Sequence, residues 1–505
     1  MKRALISVFD KTNIIDLASF LMKRKIEILS TGNTYKVLSN AGIETQKISD
    51  YIKFPEILNG RVKTLHPKIH AGILCDRKKH KKEMQDLKIE LIDLLIINLY
   101  PFWEAMNNCS NYEQIIEQID IGGVALIRAA AKNFRFTSII SNIQDYKTLK
   151  TEMIKNGNKT TLQYRKYLAT KAFALTACYD FNIYNWFFSS QSKNNELPEF
   201  FALYGNKVQE LRYGENPHQK AAFYSNKFTK YPMEKLHGKE LSYTNITDIE
   251  SALNIVSEFQ KTAAVIVKHN NPCGVALGKS PLEAYEKALL CDEISSFGGI
   301  VALNRKIDLE LAEKLNRIFL EIVIAPSIND DALKVLQKKK NLRIIIHNSF
   351  WQNAKFQIKN VTGGFLIQEH NNHVIKVEEI IQVTKSSATE KEKEDLVFAW
   401  KVCKHVKSNV IVIAKNGCTV GIGSGQTSRI DSVNIAVKKA GKRSKGAVLA
   451  SDAFFPFPDS ILESAKHGIT AIIQPGGSLK DKDIIAAANE NKIAMFFTGI
   501  RNFFH

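Results

Sequence analysis

Residues 263–274, AAVIVKHNNPCG, decide the fold of this 505-residue chain. The apolar, β-branched start of the stretch predicts a strand in a sheet that is covered on both faces. The strand ends at Lys268 and His269, and Pro272 and Gly274 predict a turn directly after them. Ligands of α/β sheets bind outside the carboxyl ends of the strands, so this Lys-His pair is a candidate for proton transfer. Taken alone, the pair is more typical of a polar strand end at the surface.

Composition indicates a globular chain of more than one domain. Hydrophobic residues make up 45% and charged residues 24%, which are ordinary values, and single cores stop growing at roughly 250–300 residues. The net charge of +19 fits nucleic acid, a membrane surface or an anionic small substrate, although scattered lysines are typical of a solvated surface. The sequence has no basic run interleaved with aromatics and no run of about 18 apolar residues, which argues against nucleic-acid and membrane partners.

The seven cysteines are scattered, odd in number and without a C-x-x-C motif. This pattern argues against a disulfide framework and favours a reducing, cytoplasmic location. Pro272-Cys273 matches the start of the P-C-x-x-C motif of zinc deaminases, but Ala276 replaces the second cysteine and no H-x-E occurs. We therefore expect no metal site.

The first part of the chain alternates strand patterns with helical patterns. Residues 4–8, 26–29 and 91–99 predict strands, and the second of them leads through residues 30–34, STGNT, into a helix. The free N–H groups and the dipole of a helix start suit a phosphate at such a junction. A short loop of this kind is also typical of ordinary helix capping.

Residues 59–70, NGRVKTLHPKIH, concentrate cations and imidazoles in the first part of the chain. Such a segment suits an anionic substrate. Further on, Asp120 stands just before a helix predicted over 124–132, where an isolated Asp is typical of an N-cap.

A polar segment at 189–198, SSQSKNNELP, follows a long helix predicted over 161–188 and is the best candidate for a domain boundary. We therefore predict domains at 1–190 and 199–505. The second domain again alternates strands and helices, and its length of about 300 residues predicts two stacked α/β subdomains. Its predicted strands are 263–267, 300–303, 320–324, 342–346, 409–414, 447–450, 469–473 and 493–497.

Seven motifs in both parts point to one family. They are GRVKTLHPKIHAGIL, IDIGGVALIRAAAKN, LRYGENPHQKAAFY, KHNNPCGVA, SSFGGIVAL, GIGSGQTSRIDS and SDAFFPFPDS. In these motifs and their order, the chain resembles from end to end the bifunctional purine-biosynthesis enzymes that are both AICAR formyltransferase and IMP cyclohydrolase. The resemblance implies an α/β fold, with a methylglyoxal-synthase-like domain at 1–190 and two cytidine-deaminase-like α/β subdomains without zinc at 199–505.

The resemblance also implies the last two steps of de novo IMP synthesis. The second domain would transfer a formyl group from the cosubstrate 10-formyltetrahydrofolate to the amine of AICAR. The first domain would close the formylated product to IMP with loss of water. The family further implies a cytoplasmic homodimer with formyltransferase sites at the subunit interface, and neither a metal nor a nucleic-acid or membrane partner.

Motif matching assigns residues to formyl transfer. Lys268 and His269 match the family's proton-transfer pair, with His269 as base for the amine and Lys268 as acid for the leaving folate nitrogen, although the division of these roles stays open. Asn409 would orient the formyl oxygen. The substrate-binding positions implied in this domain are Arg212, Tyr213, Phe297, Gly298, Glu321, Ser428, Arg429, Phe454, Pro456, Phe457, Asp459, Arg501 and Phe503.

The members of this binding set have different implied partners. The arginines and Ser428 would hold the AICAR phosphate, because a planar guanidinium can donate two hydrogen bonds to it, while Tyr213 and Phe503 would face the ring. The aromatic segment 454–457 would form an apolar wall for the pterin, with Asp459 near its ring nitrogens. Core packing is the alternative for these aromatics, but adjacent aromatics alternating with Pro are unusual inside a strand.

The cyclohydrolase set lies in the first domain. Lys63, Tyr100, Asp120 and Lys132 match the family's catalytic residues, and Asp120 could take the carboxamide proton. The matching nucleotide-binding positions are Ser7, Lys11, Thr31, Gly32, Thr34, Arg61 and Thr64.

Two departures from the family pattern bear on the cyclohydrolase. Phe9 stands where Ser is usual and removes a hydroxyl near the phosphate site. Asn33 stands where a second Gly is usual, although Asn tolerates positive φ better than most residues. An alternative is therefore a formyltransferase with a weakened or lost cyclohydrolase. A basic nucleic-acid-binding protein is a second alternative, and it predicts duplex affinity with a steep salt dependence.

Overall fold

The computed structural model describes residues 1–108, 111–191, 197–225, 233–347 and 356–505. They form two compact units, Met1–Tyr204 and Gly205–His505. Of the predicted boundary segment 189–198, residues 192–196 lie outside the described residues. No helix in the described part of the chain combines the length and apolar character that crossing a membrane requires.

The first unit alternates strands and helices from its start. Its strands are β1 Arg3–Val8, β2 Glu27–Ser30, β3 Gln46–Lys47, β4 Leu94–Asn98 and β5 Ser138–Ile140. Its helices are α1 Ile14–Met22, α2 Gly32–Asn40, α3 Ile48–Ile52, α4 Pro67–Leu74, α5 Lys81–Asp86, α6 Phe102–Asn108, α7 Tyr112–Ile116, α8 Gly122–Lys132, α9 Tyr146–Lys155 and α10 Leu162–Gln191, with 3-10 turns at Leu58–Gly60 and Ile143–Asp145.

These strands form a parallel sheet in the order β3-β2-β1-β4-β5. The inner strands β1 and β4 are apolar along most of their length because helices cover both faces, and their side chains lie in one core with those of α1, α8 and α9. The chain builds β2 and β3 on one side of β1, then returns to build β4 and β5 on the other. Loops at the carboxyl ends of β1 and β4 therefore open a crevice where the strand order reverses.

The second unit is longer and mostly strand-helix alternation. Its strands are β6 Asn206–Leu211, β7 Ala221–Ser225, β8 Met233–His237, β9 Ala263–Lys268, β10 Asn271–Leu277, β11 Ile300–Leu303, β12 Ile322–Ala325, β13 Arg343–His347, β14 Phe356–Val361, β15 Gly364–Glu369, β16 Ile381–Gln382, β17 Ile411–Lys415, β18 Cys418–Gly423, β19 Val448–Ser451, β20 Ala471–Gln474 and β21 Ala494–Phe497. Its helices are α11 Tyr243–Val256, α12 Pro281–Leu289, α13 Glu293–Ser296, α14 Leu309–Leu315, α15 Asp330–Gln337, α16 Glu390–Cys403, α17 Arg429–Ala440, α18 Asp459–Lys466 and α19 Asp481–Glu490, with 3-10 turns at Val377–Glu379 and Gly441–Ser444.

Within the described residues, the main sheet of this unit has 12 strands in the order β16-β21-β20-β19-β17-β18-β10-β9-β11-β12-β13-β8. Two repeats of one pattern meet at its centre, where β10 pairs with β18. In the first repeat, α11 precedes the β9–β10 hairpin, and α12, β11, α14, β12, α15 and β13 follow. In the second repeat, α16 precedes the β17–β18 hairpin, and α17, β19, α18, β20, α19 and β21 follow.

The two repeats share their packing as well as their order. Helices α11 and α16 lie on one face over a common core, while each repeat has a separate core on the other face. Gly274 of β10 and Gly421 of β18 let the following helix approach closely, because a Cβ atom would come to 1.9 Å from Ala288 O and 2.1 Å from Ala436 O. The two predicted α/β subdomains are thus present, joined edge to edge in one sheet.

The structure corrects the turn predicted at Pro272 and Gly274. Both residues lie inside β10, and the turn is His269-Asn270, where φ is 54° and 58°. The pairing of β10 with β9 is irregular between Pro272 and Gly274, and such a bulge tolerates a residue without an N–H.

Candidate active sites

A cavity of about 610 Å³ opens at the carboxyl ends of the first unit's strands. Its volume is in the range of small-molecule sites. It lies at the predicted strand-loop-helix junctions, after β1, β2 and β4. The sequence-predicted residues that line it are Ser7, Lys11, Thr31, Thr34, Arg61, Lys63, Thr64, Tyr100 and Asp120.

Hydroxyl groups form one wall of this cavity. The Ser7 and Thr31 hydroxyls lie 2.9 Å apart, and Thr34 Oγ1 donates to Val8 O at 3.0 Å. Gly32 starts α2 beside them with φ 43°, and its N–H faces Glu56 Oε1 at 3.3 Å. Residues 32–34, predicted as a loop, are therefore the first turn of α2, and they place a helix start beside the hydroxyls.

The basic segment contributes two cations to the cavity, Arg61 and Lys63. Arg61 pairs with the carboxylate of Glu117, another lining residue. Elsewhere in the segment, His66 Nδ1 caps α4 by accepting from the Lys68 backbone N–H at 3.1 Å. The basic segment is therefore divided in the structure: Arg61 and Lys63 line the cavity, whereas His66 lies at the start of α4.

Asp120 is held in place by backbone groups on the far wall. Its Oδ1 accepts from the Gly123 N–H at 2.7 Å, so it caps α8 as an isolated Asp would. Its own N–H donates to the Tyr179 hydroxyl at 2.8 Å. Burial raises the pKa of Asp120, while the Gly123 N–H, the charge of Lys63 and the Tyr100 N–H act in the opposite direction. A half-buried carboxylate next to a lysine is the arrangement expected of an acid-base group.

Lys132 is not brought to this cavity. It lies at the last residue of α8, and a helix rises about 1.5 Å per residue, so roughly 15 Å of helix separates it from Gly122. It lines a different cavity, with Arg128 and Phe173. Its predicted catalytic role stays a prediction.

Both departures from the family pattern lie in the first cavity. Phe9 and Asn33 are lining residues, and the Phe9 ring packs edge-to-face on Tyr100 with centroids 5.3 Å apart. The aromatic substitution thus occupies space next to a predicted catalytic hydroxyl.

The predicted formyltransferase residues of the main sheet follow strand ends at one edge. Strand β9 is antiparallel to β10, β10 to β18, and β18 to β17. The carboxyl end of β9 and the start of β17 therefore lie on the same edge. Residues at this edge are Lys268 and His269 after β9, Phe297 and Gly298 before β11, Glu321 before β12, Asn409 before β17, Ser428 and Arg429 after β18, Phe454, Pro456, Phe457 and Asp459 after β19, and Arg501 and Phe503 after β21.

Lys268 and His269 differ in their surroundings. The Lys268 Nζ donates to Phe297 O at 2.8 Å, which fixes the ammonium beside the start of β11. His269 is exposed at the first position of the hairpin turn. The backbone of Asn270 is bound to Asp248, since its N–H donates to Oδ1 at 2.7 Å.

Asn409 is oriented by a buried network. Its Nδ2 donates to Gln426 O at 2.9 Å, and its Oδ1 accepts from Arg429 Nη2 at 2.6 Å. Arg429 is 7% exposed, and its guanidinium pairs with Asp452, which is fully buried. Arg429 therefore orients Asn409, and its predicted contact with the phosphate stays a prediction.

Aromatic side chains at this edge are exposed rather than packed in the core. Phe297, Phe454, Phe457 and Phe503 are 59%, 40%, 59% and 42% exposed, whereas Phe455 is fully buried. Exposed aromatics that share one edge are typical of a ligand-binding surface. Arg501 lies over the Phe503 ring, 4.4 Å from its centroid.

Some predicted binding residues have other partners. Glu321 pairs with Arg343 across 2.5 Å. Arg212 and Tyr213 follow β6 in a separate two-stranded sheet, where the guanidinium lies 5.4 Å from the Tyr213 ring centroid.

Sequence reasoning missed the two carboxylates that hold these residues. Asp452 stands inside the quoted SDAFFPFPDS motif, so the motif itself contained the signal. Asp248 lies within α11, where the sequence pattern is that of any polar helix position. No cluster of three or more His, Cys, Asp or Glu side chains that could hold a metal occurs within the described ranges.

The fold and the two candidate sites define an α/β enzyme with two units, one of which has a cavity lined by cations and hydroxyl groups at parallel strand ends. Comparison with known families assigns it further. The chain belongs to the AICARFT/IMPCHase bienzyme family, whose model matches residues 130–439, and an MGS-like domain matches residues 13–125. This membership confirms the predicted family, the predicted α/β fold class and the two predicted activities, AICAR formyltransferase and IMP cyclohydrolase, in purine biosynthesis.

Relatives match over their whole length. The bifunctional purine biosynthesis protein PurH of Thermoanaerobacter sp. is 51% identical over 510 residues, and that of Bacillus cytotoxicus is 49% identical over 512, with 100% of both chains covered in each case. A solved structure, the crystal structure of ForH, is 32% identical, covers 38% of this chain and 100% of its own, and has a TM-score of 0.34.

Proposed function

We propose that the two activities use separate sites, one in each unit. Ring closure takes place in the cavity of Met1–Tyr204, and formyl transfer from 10-formyltetrahydrofolate takes place at the Lys268 edge of Gly205–His505. The observation that carries the proposal is the clustering of nine sequence-predicted residues in the first cavity and of Lys268, His269 and Asn409 at one edge of the second unit's sheet.

Ring closure needs a base for the carboxamide and a cation for the formyl oxygen. Asp120 is the base, since its carboxylate is held at the cavity wall and lies near the charge of Lys63. Lys63 stabilises negative charge on the formyl oxygen, and Tyr100 moves a proton to the departing water. The hydroxyls of Ser7, Thr31 and their neighbours, together with the start of α2, bind the phosphate.

Formyl transfer needs three functions at the reacting carbon. His269, exposed on the turn, takes the proton of the AICAR amine, and Lys268 gives a proton to the folate nitrogen that leaves. Asn409 donates to the formyl oxygen as charge develops there, in exchange for its longer Nδ2 bond, which runs to Thr427 O at 3.2 Å in this structure. The exposed aromatics at the same edge hold the flat rings of AICAR and the pterin.

We also propose that the chain works as a homodimer with formyltransferase sites at the interface. Arg212 and Tyr213 support this arrangement, because they stand on a hairpin outside the main sheet that carries the catalytic pair. The mass of the full chain in solution, measured by sedimentation equilibrium, checks the assembly.

Two lysine substitutions test the separation of sites. Lys268→Ala should abolish formyl transfer and leave cyclisation of supplied formyl-AICAR intact. Lys63→Ala should do the reverse. Formyl transfer is measured with AICAR and 10-formyltetrahydrofolate, and cyclisation is measured with supplied formyl-AICAR. Loss of both activities in either variant would contradict separate sites.

The chain supplies matched controls for these variants. Lys415 ends β17 as Lys268 ends β9, and its Nζ donates to Lys445 O at 2.7 Å, so Lys415→Ala removes the equivalent contact from the other repeat. The exposed Lys79→Ala serves the first unit in the same way. Both controls should retain both activities, and loss of formyl transfer in Lys415→Ala would show that the lysine effect is structural.

A further inference from the structure

The catalytic turn has a counterpart in the second repeat. The β9–β10 hairpin turns at His269-Asn270, and the β17–β18 hairpin turns at Asn416-Gly417. All four residues have positive φ, at 54°, 58°, 56° and 67°. The two hairpins therefore share one left-handed turn geometry.

One carboxylate on the preceding helix holds each turn. Asp248 of α11 accepts from the Asn270 N–H at 2.7 Å. Asp395 of α16 accepts from the Asn416 N–H at 2.7 Å and from the Gly417 N–H at 2.6 Å. Burial raises the pKa of both carboxyl groups. The two arrangements match in the carboxylate acceptor and in its place in the fold, and each carboxylate accepts from at least one backbone N–H of its turn.

The residues on the two turns differ in how readily they adopt positive φ. Asn-Gly, in the second repeat, is the pair that most readily adopts a left-handed two-residue turn. His-Asn, in the first repeat, is less suited, because a β-carbon disfavours positive φ at both positions and only Asn relieves this by local hydrogen bonding. The catalytic turn therefore depends more on contacts from outside the hairpin.

The first repeat has an additional contact of this kind. Ser251 Oγ, one turn after Asp248 in α11, donates to Asn270 O at 3.1 Å. In the second repeat, the corresponding position of α16 is occupied by Phe398, which is buried. Helix α11 thus holds both the amide and the carbonyl of Asn270.

We propose that Asp248 is a positioning residue for formyl transfer, whose carboxylate holds the His269-Asn270 turn in its left-handed conformation and so aims Lys268 and His269 at the substrate. This inference rests on the proposed roles of Lys268 and His269. The hydrogen bonds tie the turn to α11, and α11 packs on the sheet, so the pair is fixed relative to β9.

Asp248→Asn and Asp395→Asn form a matched pair of variants of the full chain. In each, the charged carboxylate becomes a neutral amide with one acceptor oxygen, so the hydrogen bonds from the turn lose their charge assistance. Asp395→Asn also loses one of its two bonds. Asp248→Asn should lower kcat for formyl transfer by about 10- to 100-fold, because small misplacements of reacting groups cost that much. The KM values for AICAR and 10-formyltetrahydrofolate should change by less than about threefold, since the binding residues stay in place.

Asp395→Asn should lower the melting temperature of the second unit at least as much as Asp248→Asn does. It should change kcat for formyl transfer by less than about twofold. Cyclisation of formyl-AICAR should be unchanged in both variants. Equal loss of kcat in the two variants, or a normal kcat in Asp248→Asn despite a lowered melting temperature, would overturn the positioning role.

A double variant tests the cause directly. Asp248→Asn with Asn270→Gly gives the catalytic turn the Gly of its counterpart, which removes the steric cost of positive φ at that residue. Recovery of kcat relative to Asp248→Asn supports the proposal, whereas recovery of the melting temperature without kcat would refute it. A wrong assignment of the formyltransferase site would show in a different variant, because Lys268→Ala would then leave formyl transfer unchanged.

Discussion

The buried pair of Arg429 and Asp452 determines how firmly Asn409 is held at the formyltransferase edge. Arg429→Met keeps the length and apolar stem of the side chain but removes the guanidinium. Asp452 is fully buried, so the substitution leaves a carboxylate without its counter-charge inside the protein. Breaking one side of a buried pair costs about 3–5 kcal/mol. The lost bonds to Ser451 Oγ, at 2.8 Å, and to Asn409 Oδ1 contribute to the same loss.

This free energy translates into a measurable change in melting temperature. For a unit of this size, 1 kcal/mol shifts the melting temperature by roughly 2 °C, so the second unit should melt about 6–10 °C lower. Asn409 keeps its bonds to Gln426 O at 2.9 Å and Thr427 O at 3.2 Å. Formyl transfer should therefore fall by about tenfold, short of complete loss, and cyclisation should be unaffected.

Calorimetry of the full chain and the two activity assays check this prediction. Arg429→Met with Asp452→Asn neutralises the stranded carboxylate and keeps an acceptor for the Ser408 hydroxyl, which donates to Asp452 at 2.5 Å. The double variant should recover at least half of the lost stability. Exposed Arg317→Met is the control for loss of a surface guanidinium. The reasoning would be refuted if the double variant melted no higher than Arg429→Met alone.

Two further predictions concern the first cavity. Because burial raises the pKa of Asp120, its carboxylate loses its charge at a higher pH than an exposed Asp, so kcat/KM for cyclisation should begin to fall at a higher pH on acidification. Asp120→Asn should lower kcat by about 10²–10⁴-fold and abolish this acidic fall in the pH profile. A variant whose pH profile keeps the acidic fall would exclude Asp120 as the base. Phe9→Ser places a hydroxyl beside Ser7 and removes the ring from Tyr100. The KM for formyl-AICAR should fall about 10- to 100-fold, because one hydrogen bond to a charged group contributes about 1.5–3 kcal/mol. An unchanged KM in steady-state kinetics would mean that the hydroxyl has no phosphate to bind.

The first cavity could be predicted from the sequence because parallel strands end together. Once β1, β2 and β4 are recognised as apolar runs, the polar residues that follow them must meet at one edge of the sheet. Lys132 shows the limit of this reasoning. It lies in the same motif as Asp120, but α8 separates the two by its whole length. A motif records neighbours in sequence, and a helix within it moves its ends apart.

The β9–β10 hairpin shows why a turn can be misplaced by a few residues. Pro272 and Gly274 normally interrupt a strand, so the sequence predicts the turn there. The bulge in β10 accommodates Pro272, and Gly274 is required because α12 lies against its backbone. Both exceptions depend on contacts with other elements, which local patterns do not contain. The true turn uses His269 and Asn270 at positive φ, a conformation that is uncommon for any residue other than Gly.

The second repeat indicates why the first repeat has His269 and Asn270 at positive φ. Its hairpin keeps the lysine, the carboxylate and the left-handed turn, but has Asn416-Gly417, the pair that backbone geometry favours. The same fold with the favoured turn residues is thus available within one chain, and it lies at the opposite edge of the sheet, because β17 is antiparallel to β18 and β18 runs parallel to β9. If the turn served only to connect two strands, the first repeat would gain stability from the same pair. The less favourable His269-Asn270 turn is therefore the local departure that a functional site would introduce, and the bonds of Asn270 to Asp248 and Ser251 are what the structure provides to hold it.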